Sequence, residues 1–150
     1  MGHMLMRRAV ADDIPAIVEL LADDGLGRGR ESVADLTPYR RAFEVVDLDP
    51  AQLLAVAEID GVIVGTLQLT VIPGLSQRGR TRGLVEAVRI ASARRGQGLG
   101  GELMRWVIAE ARERGCSLVQ LTSNATRGDA HRFYERLGFT PSHVGFKLEI

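Results

Sequence analysis

The stretch Arg94-Arg95-Gly96-Gln97-Gly98-Leu99-Gly100-Gly101-Glu102-Leu103-Met104 places four glycines in six positions at the mouth of an amphipathic helix. Glycine inside a helix costs about 1 kcal/mol relative to alanine, so Gly98, Gly100 and Gly101 weaken the first turns unless a ligand compensates. Glycine also lets a backbone approach a ligand closely, and a helix N-terminus offers unpaired N–H groups and the positive end of a dipole. These features suit a phosphate or pyrophosphate, and the question becomes which molecule carries it.

Outward from the glycines, Leu99, Leu103, Trp106, Val107 and Ala111 share one side of a helix predicted to run to about Arg114, with Gly115 as its C-terminal cap. Leu84 to Ala91 predicts a strand feeding directly into the glycine run, with Glu86, Val88 and Ile90 on one face. A loop rich in Gly and Arg, Pro73 to Gly83, precedes it. Gln52 to Ile59 and Val62 to Ile72 predict two strands joined at the hairpin signal Asp60-Gly61. The second alternates Val62, Val64, Leu67 and Leu69 around Gly65.

Near the N-terminus, Met4 to Arg8 predicts a short strand, and Asp12 or Asp13 caps a helix through Asp23 with Ile14, Ile17, Val18 and Leu21 on one face. Thr37 as N-cap with Pro38 after it begins a second helix carrying Tyr39, Phe43 and Val46. Downstream, Ser117 to Thr122 predicts a buried strand, Asp129 to Leu137 a helix ended by Gly138, and Phe139 to Ile150 a last strand. The order β-α-α-β-β-β-α-β-α-β predicts an α/β (α+β) fold with a mixed, mostly antiparallel sheet flanked by helices. A cleft is expected where the strand pairing changes.

The chain of 150 residues fits one domain. Met1 to His3 reads as a cloning remnant, leaving 4–150 as the domain. With 19 basic and 19 acidic residues the formal charge is zero, which argues against a general nucleic-acid binder or a strongly anionic membrane partner. Cys116 is the single cysteine, so an internal disulfide framework and a cysteine-rich zinc site are excluded, and no metal is expected. No apolar run reaches the roughly 18 residues a bilayer span needs, and a reduced, cytoplasmic setting is expected.

Gly96 to Gly101 also satisfies the G-x-G-x-x-G dinucleotide pattern. Only about fifty residues follow it, however, and no acidic residue ends the next strand, which disfavours that reading. A P-loop lacks its Gly-Lys-Ser/Thr. Arg95-Gly96-Gln97-Gly98-Leu99-Gly100 instead resembles R/Q-x-x-G-x-G/A, the acetyl-CoA signature of the GCN5-related N-acetyltransferase (GNAT) superfamily. Val88-Arg89-Ile90 resembles the strand that precedes that signature, and Phe133-Tyr134-Glu135-Arg136-Leu137-Gly138-Phe139 resembles the later F-Y-E-K-L-G-F block.

The resemblance implies acetyl-CoA as co-substrate, with its pyrophosphate on Arg95, Gly96, Gln97, Gly98, Leu99, Gly100 and Gly101 and its pantetheine on the backbone of Val88 and Ile90. Where the family often has a proline before the arginine and an asparagine ahead of the last helix, this chain has Ser92 and Arg127. Asn124 is the candidate to replace that asparagine, and Arg127 a candidate to reach a CoA phosphate. The stretch from Thr122 to Tyr134 is similar to small-molecule members such as aminoalkylphosphonate acetyltransferases.

Acetyl transfer to an amine needs a neutral nucleophile, donors for an oxyanion and a proton for the departing thiolate. Backbone N–H groups around Val88 would serve the oxyanion. Tyr134 matches the family's proton donor to sulfur, its alternative being a packed aromatic beside Phe133. Glu86, two residues before Val88, is expected on the same face and is the candidate general base, acting through burial, through water or by attracting the ammonium. The alternative for Glu86 is a strand-end salt bridge.

His143 and Ser142 are weaker candidates for the cleft. Arg78, Arg80 and Arg82 would recognise an acidic acceptor, or form a solvated rim or a dimer contact. The reading is transfer to the primary amine of a small molecule without a covalent enzyme intermediate. A protein N-terminal or lysine acetyltransferase and a non-catalytic acyl-CoA-binding regulatory module are the alternatives. A homodimer stays open.

Overall fold

In the computed structural model, which describes residues 2–150, the hairpin signal acts as read: Asp60 and Gly61 take φ of 52° and 78°, the left-handed pair a two-residue loop requires. This pair joins β2 (Gln52–Ile59) to β3 (Val62–Ile72). β1 (Leu5–Arg8) lies antiparallel on the outer side of β2, and β4 (Arg82–Ile90) antiparallel on β3. β5 (Leu118–Gln120) runs parallel to β4, giving the order β1-β2-β3-β4-β5. The expected mixed, mostly antiparallel open sheet is therefore present. The chain forms two compact units, one reaching to Gln120 and the other Leu121–Ile150.

Cross-strand partners share a face, so the registers sort the side chains of the first unit. One face carries Leu53, Ala55, Leu67, Leu69 and Val85, all buried, and is covered by α4 (Leu99–Glu113) through Leu103, Met104, Val107 and Ala111. Gly83 is part of this packing, since a Cβ there would stand 3.0 Å from a Leu69 methyl and 3.4 Å from Ala111. The other face carries Val56 and Thr66 and takes α1 (Ile14–Ala22) and α2 (Thr37–Leu48). Thr66 is buried, and its hydroxyl donates to the carbonyl of Ala55 at 2.8 Å.

Asp13 closes the start of α1 differently from a simple cap. Its carboxylate accepts the Val10 N–H at 2.8 Å and both terminal nitrogens of Arg7 at 2.7 and 3.0 Å, and Glu58 binds the same guanidinium. The second helix begins at Thr37 itself, with Leu36 as the capping position, one residue earlier than its sequence suggests. After β3, Ser76–Gly79 makes a single turn, α3, in which Gln77 and Arg78 have φ of 53° and 62°.

In the second unit, α5 (Gly128–Arg136) ends at Leu137 with Gly138 at φ 100°. The expected strand from Phe139 to Ile150 does not form. Val144, Phe146, Leu148 and Ile150 alternate as a strand would but are all exposed. Alternation alone makes no strand: the segment needs an edge to pair with, and no ladder includes it among the described residues.

Candidate functional site

The centre of β4 departs from ideal strand geometry. Gln68 pairs with Glu86 and Thr66 with Arg89, so Leu67 alone faces two residues, Ala87 and Val88. Ala87 has φ 54°, a left-handed value that costs an L-residue about 1–2 kcal/mol. The result is a β-bulge, a device that re-aims side chains and interrupts pairing. β5 pairs with β4 only over Arg82–Leu84. From Val85 to Ile90 that edge of β4 has no strand partner among the described residues. Its backbone groups are available to an extended ligand, as the amides at any open sheet edge are.

The bulge corrects one expectation. Because the extra residue reverses the alternation, Glu86 shares a face with Arg89 and not with Val88. Ile90 lies on the α4 face, where its δ-methyl would stand 3.1 Å from a Cβ on Gly65, and Val88 follows it by the period of two. Glu86 is turned to the α1/α2 face. It is also exposed, which removes burial as its means of action. Across the ladder stands Gln68, whose amide donates to Gln52 Oε1 at 2.8 Å; Thr70 donates to the same oxygen at 2.9 Å.

Immediately beyond β4 the glycine run forms a tight turn. Gly96 and Gly98 have φ of 80° and 79°, and Gly98 is the N-cap of α4. A Cβ at either would meet nothing within 4 Å. Backbone conformation therefore demands glycine at these two positions, and the space beside them is open. Gly100 and Gly101 occupy the first turn of α4, whose leading amides lack intrahelical acceptors. An unpaired β4 edge thus runs directly into a helix start with free amides, an arrangement that suits an extended ligand carrying an anionic group. A cavity of about 160 Å³ touches Gln97, Leu99 and Glu102, but its other wall includes Gly2 and His3.

Arg95 does not point its guanidinium at the turn's own amides. Its Nε donates to Ile90 O at 3.3 Å and its Nη2 to Asp23 O at 3.1 Å, tying the strand end to the segment after α1. Arg89 repeats the link: its Nε lies 2.9 Å from Asp24 Oδ2, with both side chains largely buried. Neither Asp24 nor the bulge at Ala87 carries a signal that a linear reading detects, because each depends on a partner far away in sequence.

Tyr134, Asn124, Arg127, Ser142 and His143 belong to the second unit, so each unit holds part of the set. Tyr134 sits on α5 in edge-to-face contact with Phe133 and Phe139, ring centroids 5.1 and 5.9 Å apart. Asn124 turns its side-chain oxygen onto the backbone N–H and hydroxyl of Thr126, at 3.0 and 2.6 Å, and its carbonyl accepts the Arg127 N–H. Arg127 is the N-cap residue of α5. Ser142 and His143 contact one another at 2.6 Å on an exposed segment.

Among the described residues no group of three or more potential metal ligands occurs, and no helix is long and apolar enough to cross a membrane. Burial pushes the Cys116 thiol up, away from the reactive thiolate.

Comparison with known proteins identifies the family. Residues 14–139 match the model of the acetyltransferase (GNAT) family. The aminoalkylphosphonate N-acetyltransferase of Salmonella typhimurium is 30% identical over 141 residues, covering 94% of this chain and 88% of the relative. A glucosamine 6-phosphate N-acetyltransferase of Trypanosoma brucei brucei is 33% identical over 90 residues, 60% of this chain and 59% of the relative. The crystal structure of a protein called a transcriptional regulator, from Bacillus halodurans C-125, superposes with a TM-score of 0.95 at 45% identity, covering 99% of this chain and 100% of that one.

Proposed function

The chain belongs to the acetyltransferase (GNAT) family, and from that premise we propose that it moves an acetyl group from acetyl-CoA to the primary amine of a small molecule by direct transfer. The observation that carries this reading is the bulged strand β4, open along one edge and continuous with a left-handed glycine turn at the start of α4. Residues 4–150 would act as one N-acetyltransferase domain, in a cytoplasmic setting.

Bound acetyl-CoA supplies the activated acyl group. In this reading the backbone of Val88 and Ile90 holds the pantetheine arm, and the amides from Gly96 to Gly101, introduced by Arg95, hold the pyrophosphate. Asn124 and Arg127 are the candidates for contacts to the CoA phosphates. An amide of the bulge donates to the thioester carbonyl; a donor of this kind contributes about 3–4 kcal/mol where charge develops. Tyr134 gives a hydrogen bond or proton to the departing sulfur. Glu86, on the α1/α2 face, attracts the acceptor's ammonium and takes its proton through water.

By their names, both curated relatives act on small amines that also carry a phosphonate or phosphate group. We extend that to this chain's acceptor: a small primary amine with a phosph(on)ate group. A second reading, a non-catalytic acyl-CoA-binding regulatory module, is favoured by the name of the Bacillus halodurans protein.

Titration calorimetry with acetyl-CoA, with NADH in parallel, followed by thiol release in the presence of 2-aminoethylphosphonate, separates these readings. The enzyme reading expects binding of acetyl-CoA alone and turnover that falls at least tenfold in Tyr134→Phe. Binding without turnover on any amine supports the module, and silence with acetyl-CoA refutes both.

A further inference from the structure

On the α1/α2 face of the sheet a line of polar side chains crosses three adjacent strands. Gln52 of β2 pairs with Thr70 of β3, and Gln68, two residues back along β3, pairs with Glu86 of β4. The alternation along β3 puts Gln68 and Thr70 on one face, opposite the buried Leu67 and Leu69, and the two ladders add Gln52 and Glu86 to it. Gln52, Gln68 and Thr70 are half-buried, and Glu86, at the end of the line, is exposed.

Gln52 Oε1 accepts the Gln68 amide at 2.8 Å and the Thr70 hydroxyl at 2.9 Å, which fills both of its lone pairs. The N–H side of Gln68 is thereby committed to β2, and its carbonyl oxygen, Oε1, has no donor among the described residues. Glu86 is in the same position: no side-chain hydrogen bond or ion pair includes it among the described residues, so the strand-end salt bridge does not form there.

Neighbouring polar groups on this face are already taken. Thr66 donates to the Ala55 carbonyl, Arg7 is held by Asp13 and Glu58, and Arg89 lies against Asp24 and donates to the Val88 carbonyl at 3.0 Å. Arg82 shares the face, but four residues of strand, about 13 Å, separate it from Glu86. Two acceptors on neighbouring strands therefore stand without a donor, Glu86 and Gln68 Oε1, on residues whose Cβ atoms are about 5 Å apart as in any directly opposed pair. Such a pair suits a group that brings positive charge and several N–H donors, and a primary ammonium brings three.

We propose that Gln68 is a second residue of the acceptor-amine site: its Oε1 accepts an N–H of the amine opposite Glu86, and Gln52 and Thr70 are positioning residues that hold its amide in that orientation. The proposal rests on the function proposed above and deepens it. Glu86 and Gln68 contribute differently. Glu86 attracts the ammonium by charge and takes its proton through water, and that attraction ends once the amine is neutral. The bond to Gln68 persists, because a neutral primary amine keeps two N–H groups, so Gln68 orients the lone pair for attack.

The test compares 2-aminoethylphosphonate with ethylphosphonate, which has the same anion and no amine, in the wild type, Gln68→Met and Thr70→Val. Methionine matches glutamine in length and offers only a weak acceptor. In Gln68→Met, kcat/KM for 2-aminoethylphosphonate should fall roughly tenfold or more, the size of a lost hydrogen bond to a charged group. The inhibition constant of ethylphosphonate and the Kd of acetyl-CoA should stay as in the wild type. Thr70→Val, which leaves Gln68 in place but removes a donor that orients Gln52, should show a smaller loss of the same kind, and it carries the test if Gln68→Met does not fold.

An unchanged kcat/KM in these variants overturns the proposal. So does an equal loss for both phosphonates, the result of a displaced strand, and so does a wild type that binds 2-aminoethylphosphonate no better than ethylphosphonate. Failure of the underlying function reads out separately, as wild-type silence towards acetyl-CoA.

Discussion

The two halves of β4 make opposite use of the same kind of sequence. From Arg82 to Leu84 the strand is paired on both sides, by β3 and by β5, and Gly83 and Val85 are packed under α4. From Glu86 to Ile90 it keeps only β3, carries a bulge, and leaves an edge open. Backbone hydrogen-bonding groups that are paired within the sheet stabilise the fold, while those that are left available can bind a ligand. The first half should therefore report in stability and the second half, with the glycine turn, in ligand affinity.

The largest separation is expected at Gly98→Glu. A side chain at φ 79° on the N-cap, carrying a negative charge, opposes an anion bound at the start of α4. Acetyl-CoA affinity should fall by more than about 100-fold, roughly 3 kcal/mol, in titration calorimetry. Leu69→Ala is the converse. Leu69 is fully buried and pairs with Val85, so its truncation should cost about 3 kcal/mol in denaturant unfolding while the folded fraction still binds acetyl-CoA normally.

Asp13→Asn sharpens the contrast by weakening the fold without touching β4. Hydrogen bonding to Arg7 holds the Asp13 carboxyl below the usual carboxylate range. A carboxylate depressed in the folded state stabilises above the unfolded value, about 3.9, and that stabilisation disappears as the pH falls through the lower folded value. Because Arg7 is a third exposed, the loss at pH 7 should be about 2 kcal/mol, below that of a fully buried pair. The gap between wild type and variant should narrow below about pH 4 in pH-dependent unfolding. The smallest effect belongs to Ala87→Gly, which relieves a left-handed alanine and should leave stability equal or higher by about 1 kcal/mol, whereas Ala87→Val should lower it.

The same division explains what the sequence made legible. β2 and β3 were readable to the residue because a two-residue turn with its own chemistry sits between two alternating runs. The glycine run was readable because Gly96 and Gly98 require φ values that other residues avoid. The bulge was not, since Ala87 carries no mark of its left-handed conformation, and missing it put Glu86 on the wrong face. Asp24 and Arg89 stand far apart in sequence, and nothing local marks either as a partner. The last strand failed for the reverse reason: its alternation was clear, but pairing depends on an edge that no local pattern supplies.

Amide hydrogen exchange of the wild type with and without acetyl-CoA tests the account most directly. The account predicts new protection at the Ala87–Ile90 and Gly96–Gly101 amides, and little change over Arg82–Leu84, which is already paired on both sides. Protection that avoids the open edge and the glycine turn, or that falls equally on both halves of β4, would contradict it.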